Sequence, residues 1–270
     1  MICRSTILVA TLLALAGAQA AAHEFWIAPE RYQVEVGRKL KAHIRVGDMF
    51  KGPGNVYLPD NFARFDVVHG GSTVPVKGRL GDLPALQMPA PGEGLVIAVY
   101  QSTTSNVHYM EWAKFAKFVN RKGFPDALVR HKERGIRQQE FLEAYRRFAK
   151  SLMAVGHGRG SDRDVGLETE FVAEANPYTD DLQGKFPVRL LYQGKPRSGA
   201  QIEIFSRSPE GEVGLKRTTT DAHGRASIPV KAGHEYLLDA VLIRPLDGKV
   251  EERQAVWETL WAGLTFRVPR

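Results

Sequence analysis

Period-two alternation, broken at glycines, is the feature that most narrows what this chain can become. In "HEFWIAPERYQVEVGRKLKAHIRVGDMF", Tyr32, Val34 and Val36 alternate with polar residues, and Leu40, Ala42 and Ile44 do so again. Gly37 separates the two runs and Gly47 follows them. Successive strand side chains point to opposite faces, so this spacing predicts antiparallel strands with one buried face. Further short strands are expected at "ARFDVVHG", "STVPVKGRL" and "GLVIAVYQS", divided by turn clusters such as "PAPGEG". No strand–helix–strand rhythm runs through this part, which argues for a sandwich over a parallel sheet.

The pattern changes near Tyr109. Trp112, Phe115 and Val119 fall at i, i+3 and i+7, one face of a helix that Gly123 ends. Phe141, Tyr145, Phe148 and Leu152 fall at i, i+4, i+7 and i+11 and predict a second amphipathic helix of about four turns. Phe118 joins these aromatic residues as helix-packing rather than a ligand cage. A polar loop, "GHGRGSDRD", and a strand-like "LETEFVAE" follow. Alternation returns from Leu182, with a turn signal at Asp221-Ala222-His223-Gly224, and "AVWETLWAGLTFRVP" supplies a last strand carrying Trp257, Trp261 and Phe266. The expected fold is mainly β, with two Ig-like or transthyretin-like antiparallel β-sandwich units at 21–181 and 182–270. An α-helical pair, at about 109–155, is inserted between them.

The start, "MICRSTILVATLLALAGAQAAA", reads as a secretory signal peptide. Arg4 gives the basic end, Ile7 to Ala16 the apolar run, and Ala18-Gln19-Ala20 the small-residue cleavage series. Cutting there removes 1–20, while Ala20-Ala21-Ala22 satisfies the same rule and places the cut after Ala22. The apolar run is too short to span a bilayer, so the chain is not expected to be membrane-spanning, and export to the periplasm is. The only cysteine, Cys3, leaves with the signal. The processed chain then has no disulfide framework, and any metal it binds must use nitrogen and oxygen donors. Of the formal charge of +7, Arg4 alone lies before His23. The remaining surplus is broken up by acids and apolar residues, as solvated faces are, and nucleic acid is not an expected partner.

Catalytic signatures are absent from the sequence. No G-x-S-x-G, phosphate-binding glycine loop or Rossmann-like glycine series occurs, and Asp180-Asp181 and Glu251-Glu252 are sequence neighbours, a poor acid/base dyad. An enzyme is not expected.

The processed N-terminus is where metal chemistry concentrates. Cleavage after Ala20 leaves Ala21-Ala22-His23, whose amine, two backbone amides and imidazole can surround one ion in a square plane, a geometry suited to Ni²⁺ and Cu²⁺. Cleavage after Ala22 makes His23 the first residue, an amine–imidazole pair that needs another histidine from the body. Both need a deprotonated amine, which titrates near ~7.7–8.0. Glu24 is an adjacent oxygen donor or a solvated strand residue. His43, on the polar face of its strand, and His108, before the first helix, are the preferred second ligands. His131 reads as exposed helix or loop, His157 as loop surface, and His223 and His234 as turn residues. Against all this stands the plain alternative that His23 simply begins a strand.

Several stretches together resemble a known family. "AHEFWIAP" after a signal, "VGDMF", "KFAKFVNRKGF", "YRRFAKSL", "ETEFVAEANPY", "GKPRSGAQIEIFSR", "TTTDAHGRASIPVKAGHEYLLDA" and "WETLWAGLTF" match in order across the processed chain. They are similar to domain-of-unknown-function family 4198, related to the periplasmic component of nickel/cobalt uptake systems. The resemblance implies a β-rich periplasmic protein that handles Ni²⁺ or Co²⁺ beside a membrane importer. Two other functions remain open: a non-catalytic Ig-like envelope binding module with a structural His23, and a copper-dependent oxidase built on His23.

Overall fold

A computed structural model describes residues 23–270; residues 1–22, among them the expected signal segment, Ala21 and Ala22, lie outside the described residues. The first half gives β1 (Glu24–Pro29), β2 (Gln33–Val34), β3 (Lys39–Gly47), β4 (Gly54–Asn55), β5 (Phe62–His69), β6 (Ser72–Pro75), β7 (Leu86–Pro89), β8 (Gly94–Ser102) and β9 (Ser105–Tyr109). Helices α1 (Trp112–Arg121) and α2 (Asp126–Glu133) follow, then β10 (Phe141–Val155) and β11 (Thr169–Ala173). The chain ends in β12 (Lys185–Tyr192), β13 (Lys195–Pro196), β14 (Gln201–Arg207), β15 (Val213–Thr219), β16 (Arg225–Pro229), β17 (Glu235–Pro245) and β18 (Ala255–Arg267).

One large sheet runs β15-β14-β17-β18-β10-β8-β5-β6, with β2 and β9 also paired to β10. Both its faces are covered. Val67, Val96, Ala98, Ala149 and Met153 face a small sheet of β1, β3, β4 and β7. Their immediate neighbours Val68, Leu95, Ile97, Phe148 and Leu152 face a second small sheet of β11, β12, β13 and β16. The alternation of the strand is thus spent on two cores, one each side of a shared middle layer. The helices cover the rest of the first face, where Phe115, Phe118 and Val119 of α1 meet Val241, Trp257 and Trp261. Gly123, at φ +84°, ends α1 in the left-handed conformation that a helix C-terminus favours.

The helical pair is present, but its second member is not where periodicity put it. Residues 141–155, expected to be helical, form the fifteen-residue strand β10, and the overlooked helix is α2. Leu, Glu, Ala, Arg, Lys and Met make this stretch a good helix former, yet tertiary packing overrides such propensities. β10 lies mid-sheet, parallel to β18 and antiparallel to β8 and β9. A strand buried on both faces carries a near-continuous apolar run, and that run happened to include helical spacing.

Candidate functional site

A β core ordinarily excludes charge, yet one row of cross-strand neighbours here carries it. Arg217 on β15 is opposite Glu203 on β14, Glu203 is opposite Asp239 on β17, and Asp239 is opposite Gly263 on β18. Lys122, just past the end of α1, reaches down to this row. Its Nζ donates to Glu203 Oε2 at 2.6 Å and Asp239 Oδ2 at 2.7 Å, and it sits 4.6 Å from the centre of the Trp261 ring. Arg217 closes on Glu203 Oε1 through Nε at 3.0 Å and Nη2 at 2.6 Å. Such a buried pair is tolerated only when each charge is met and hydrogen-bonded.

The start of β1 is tied into the same network. Glu24, 1% exposed, accepts from Arg121 Nη2 at 2.9 Å and lies 3.7 Å from Lys122 Nζ. Its Oε2 is buried without a hydrogen-bond partner among the described residues. Burial, then the neighbouring Asp239, pushes the Glu24 carboxyl up to about 8, against the opposing pull of Lys122 and Arg121. Burial likewise raises Asp239, whereas Lys122 and Arg217 hold Glu203 low in spite of burial. Next along, the Phe25 carbonyl occupies the space above Gly263, where a Cβ would come within 3.0 Å of its oxygen. Thr265 donates its hydroxyl to Ile27 O at 2.7 Å. The first residues of β1 are therefore fixed by charge at Glu24 and by backbone contact at Phe25 and Ile27.

His23 is half-buried and immediately precedes β1, outside the ladder in which Glu24 is opposite Gly47. Ala21 and Ala22 are outside the described residues. Glu24 is not the solvated strand residue expected; it is buried and held by Arg121, and burial raises its pKa. His43 is opposite Ala28, five residues along the strand from His23, roughly 17 Å at the usual rise. There it lies 3.8 Å from Glu30, with burial lowering its pKa. His108 is opposite Leu142 on β10 and lines a separate cavity of about 360 Å³ with Arg137, Glu140 and Arg253. The fold does not bring His43 or His108 to His23. Among the described residues no group of three or more His, Cys, Asp and Glu converges as a metal site.

His131, read as exposed, is fully buried. Trp257 Nε1 donates to its Nδ1 at 2.9 Å, so its Nε2 carries the hydrogen donated to Arg137 O at 3.0 Å. Nδ1 thereby ties α2 to β18, and Nε2 ties α2 to the segment that follows it. A further buried acid, Glu143 on β10, accepts from the Thr259 hydroxyl at 2.5 Å while its Oε2 is buried without a partner among the described residues. The signal that marks these groups in the sequence is a charge inside an apolar strand, as in "QIEIFSR" and "EYLLDAVLI".

The sequence model of a domain of unknown function, DUF4198, matches residues 20–244. The chain belongs to the DUF4198 family. Among curated proteins nothing matches. The solved structures to which the chain is similar include two at low sequence identity. "D0-D1 domain of Intimin" shares 12% identity over 90% of this chain and 97% of that one, with a TM-score of 0.20. "Crystal structure of tetra-tandem repeat in extending region of large adhesion protein" shares 10% over 92% of this chain and 50% of that one, with a TM-score of 0.20. No helix among the described residues is long and apolar enough to cross a membrane.

Proposed function

We propose that this DUF4198 protein is an exported transition-metal carrier whose site is its own processed amino terminus, and that it passes Ni²⁺ or Co²⁺ to a membrane importer in the periplasm. The observation that carries the reading is the fixed position of His23: half-buried, just outside β1, with the following residue locked to Arg121. Since His43 and His108 lie elsewhere, a site on His23 has to draw its donors from the adjoining chain. Cleavage after Ala20 supplies them as the amine, the amides of Ala22 and His23, and the imidazole. Four nitrogens in a plane suit Ni²⁺ and Cu²⁺ better than Co²⁺.

The test is native mass spectrometry of the exported chain with one equivalent of Ni²⁺, beside His23→Ala and a version extended by one residue before Ala21. One ion retained by the first alone is expected, because the extension moves the histidine from third to fourth. Uptake indifferent to both changes, or a mature start at neither Ala21 nor His23, overturns the reading and returns His23 to its strand. The non-catalytic envelope binding module is then the reading that remains.

A further inference from the structure

Among the described residues, Lys150 is the most buried cation outside the network at β1. It lies on β10 between Phe148 and Leu152 on the face turned to the main core. Its Nζ donates to Glu170 Oε2 at 3.1 Å, Arg163 O at 2.8 Å and Phe171 O at 2.9 Å, and forms an ion pair with Asp162 Oδ1 at 2.8 Å. The side chains of Lys150, Asp162 and Glu170 are all at most 1% exposed. An amine and a carboxyl are thus held in contact in a dry site with a second carboxyl against the amine. We propose that these three residues form an intramolecular isopeptide bond, Lys150 Nζ to Asp162 Cγ, with Glu170 as the proton carrier.

The contacts already in place suit that condensation: the amine touches the Asp162 carboxyl, and Glu170 lies against the amine. Glu170 takes a proton from the Lys150 ammonium, and the freed nitrogen lone pair attacks Asp162 Cγ. Asp162 Oδ2 already accepts the Ala173 N–H at 2.8 Å, a donor placed to hold the oxygen that gains charge and becomes the amide carbonyl. Oδ1, which accepts the Arg163 N–H at 2.8 Å, receives two of the three ammonium protons through Glu170 and leaves as water. One N–C bond forms, one C–O bond breaks, and an ammonium and a carboxylate become an amide and one water. No oxidant or other reactant is needed. Fixed contact between reacting groups replaces a collision, and exclusion of solvent opposes the reverse hydrolysis.

Glu170 suits the carrier role. Its oxygens accept from the Val165 and Leu167 amides, which hold the carboxyl against the ammonium. Burial pushes it up to about 7, where a carboxyl both accepts and returns a proton near neutral pH. The product would staple the loop before β11 to the central strand β10. In a chain whose only cysteine is Cys3, such a bond does what a disulfide does elsewhere.

The experiment is peptide-level mass spectrometry of the folded, purified chain after denaturation and digestion. The expected result is one linked species carrying Lys150 and Asp162, lighter than its two peptides by one water. Glu170→Gln should leave the two peptides separate at full mass. Asp162→Asn should give the same amide with loss of ammonia in place of water, a signature that no general destabilisation imitates. Unlinked, full-mass peptides from the wild-type chain overturn the proposal and leave an ordinary buried ion pair. A water loss that maps elsewhere, for instance to Asp247-Gly248, overturns it equally.

Discussion

At the scale of a residue, burial sets the chemistry of the acids more than sequence does. Glu143 illustrates this away from the N-terminus. Burial raises its carboxyl to about 7, with the hydroxyls of Thr259 and Tyr109 opposing the shift. The folded chain therefore holds this proton more tightly than the unfolded chain, whose carboxyl keeps its ordinary value near 4.5. For a raised pKa, the contribution to stability is whole below the unfolded value and is lost as pH rises through the folded one. Wild type should lose stability between about pH 5 and about pH 8, and Glu143→Gln should flatten that slope by on the order of 3 kcal/mol. Urea denaturation at several pH values reads this directly. Equal slopes for the two proteins would show that Glu143 ionises with little penalty where it sits.

At the scale of an element, β1 and β10 show what was legible and what was not. The strands of the first half, the first helix and the last strand follow from local spacing, because each has one buried face or one apolar stripe. β10 does not, since its two faces enter different cores and its charges, Glu143 and Lys150, point inward on opposite sides. His23 and Glu24 were legible as neighbours of a strand. Their surroundings were not, because Arg121, Lys122, Glu203 and Asp239 come from segments about a hundred or more residues away and only the sheet register unites them. The docking of β1 has a local requirement at Gly263, whose missing side chain admits the Phe25 carbonyl. Gly263→Val should cost about 1–3 kcal/mol by overpacking a fixed backbone contact. Amide hydrogen exchange should show the loss concentrated in Glu24–Pro29, with the Glu24–Arg121 pair loosened as well. Undiminished protection of those amides would mean that the backbone yields elsewhere and that Gly263 does not position the start of β1.

At the scale of the whole molecule, the shared middle sheet decides how the chain folds. The expected boundary at 181/182 falls between β11 and β12, which are paired neighbours from Thr169↔Tyr192 to Ala173↔Val188. The large sheet crosses the same boundary, since β18 pairs with β17 on one side and with β10 on the other, from Leu142↔Ala255 to Ser151↔Thr265. The main core draws Val68, Ile97, Phe148 and Phe171 from before the boundary and Phe186, Ile204, Leu238 and Leu264 from after it. Residues 182–270 alone would expose the β18 edge and half of that core, the condition under which a strand edge recruits another chain. Produced separately, this segment should be unfolded or aggregated, while the full chain should unfold in one calorimetric transition with matching calorimetric and van't Hoff enthalpies. Producing 23–181 and 182–270 together should restore a soluble complex, because the parallel β10–β18 pair needs no covalent link to form. A sharp, independent melting transition from 182–270 by itself would refute this and make the middle sheet a contact between two self-sufficient units.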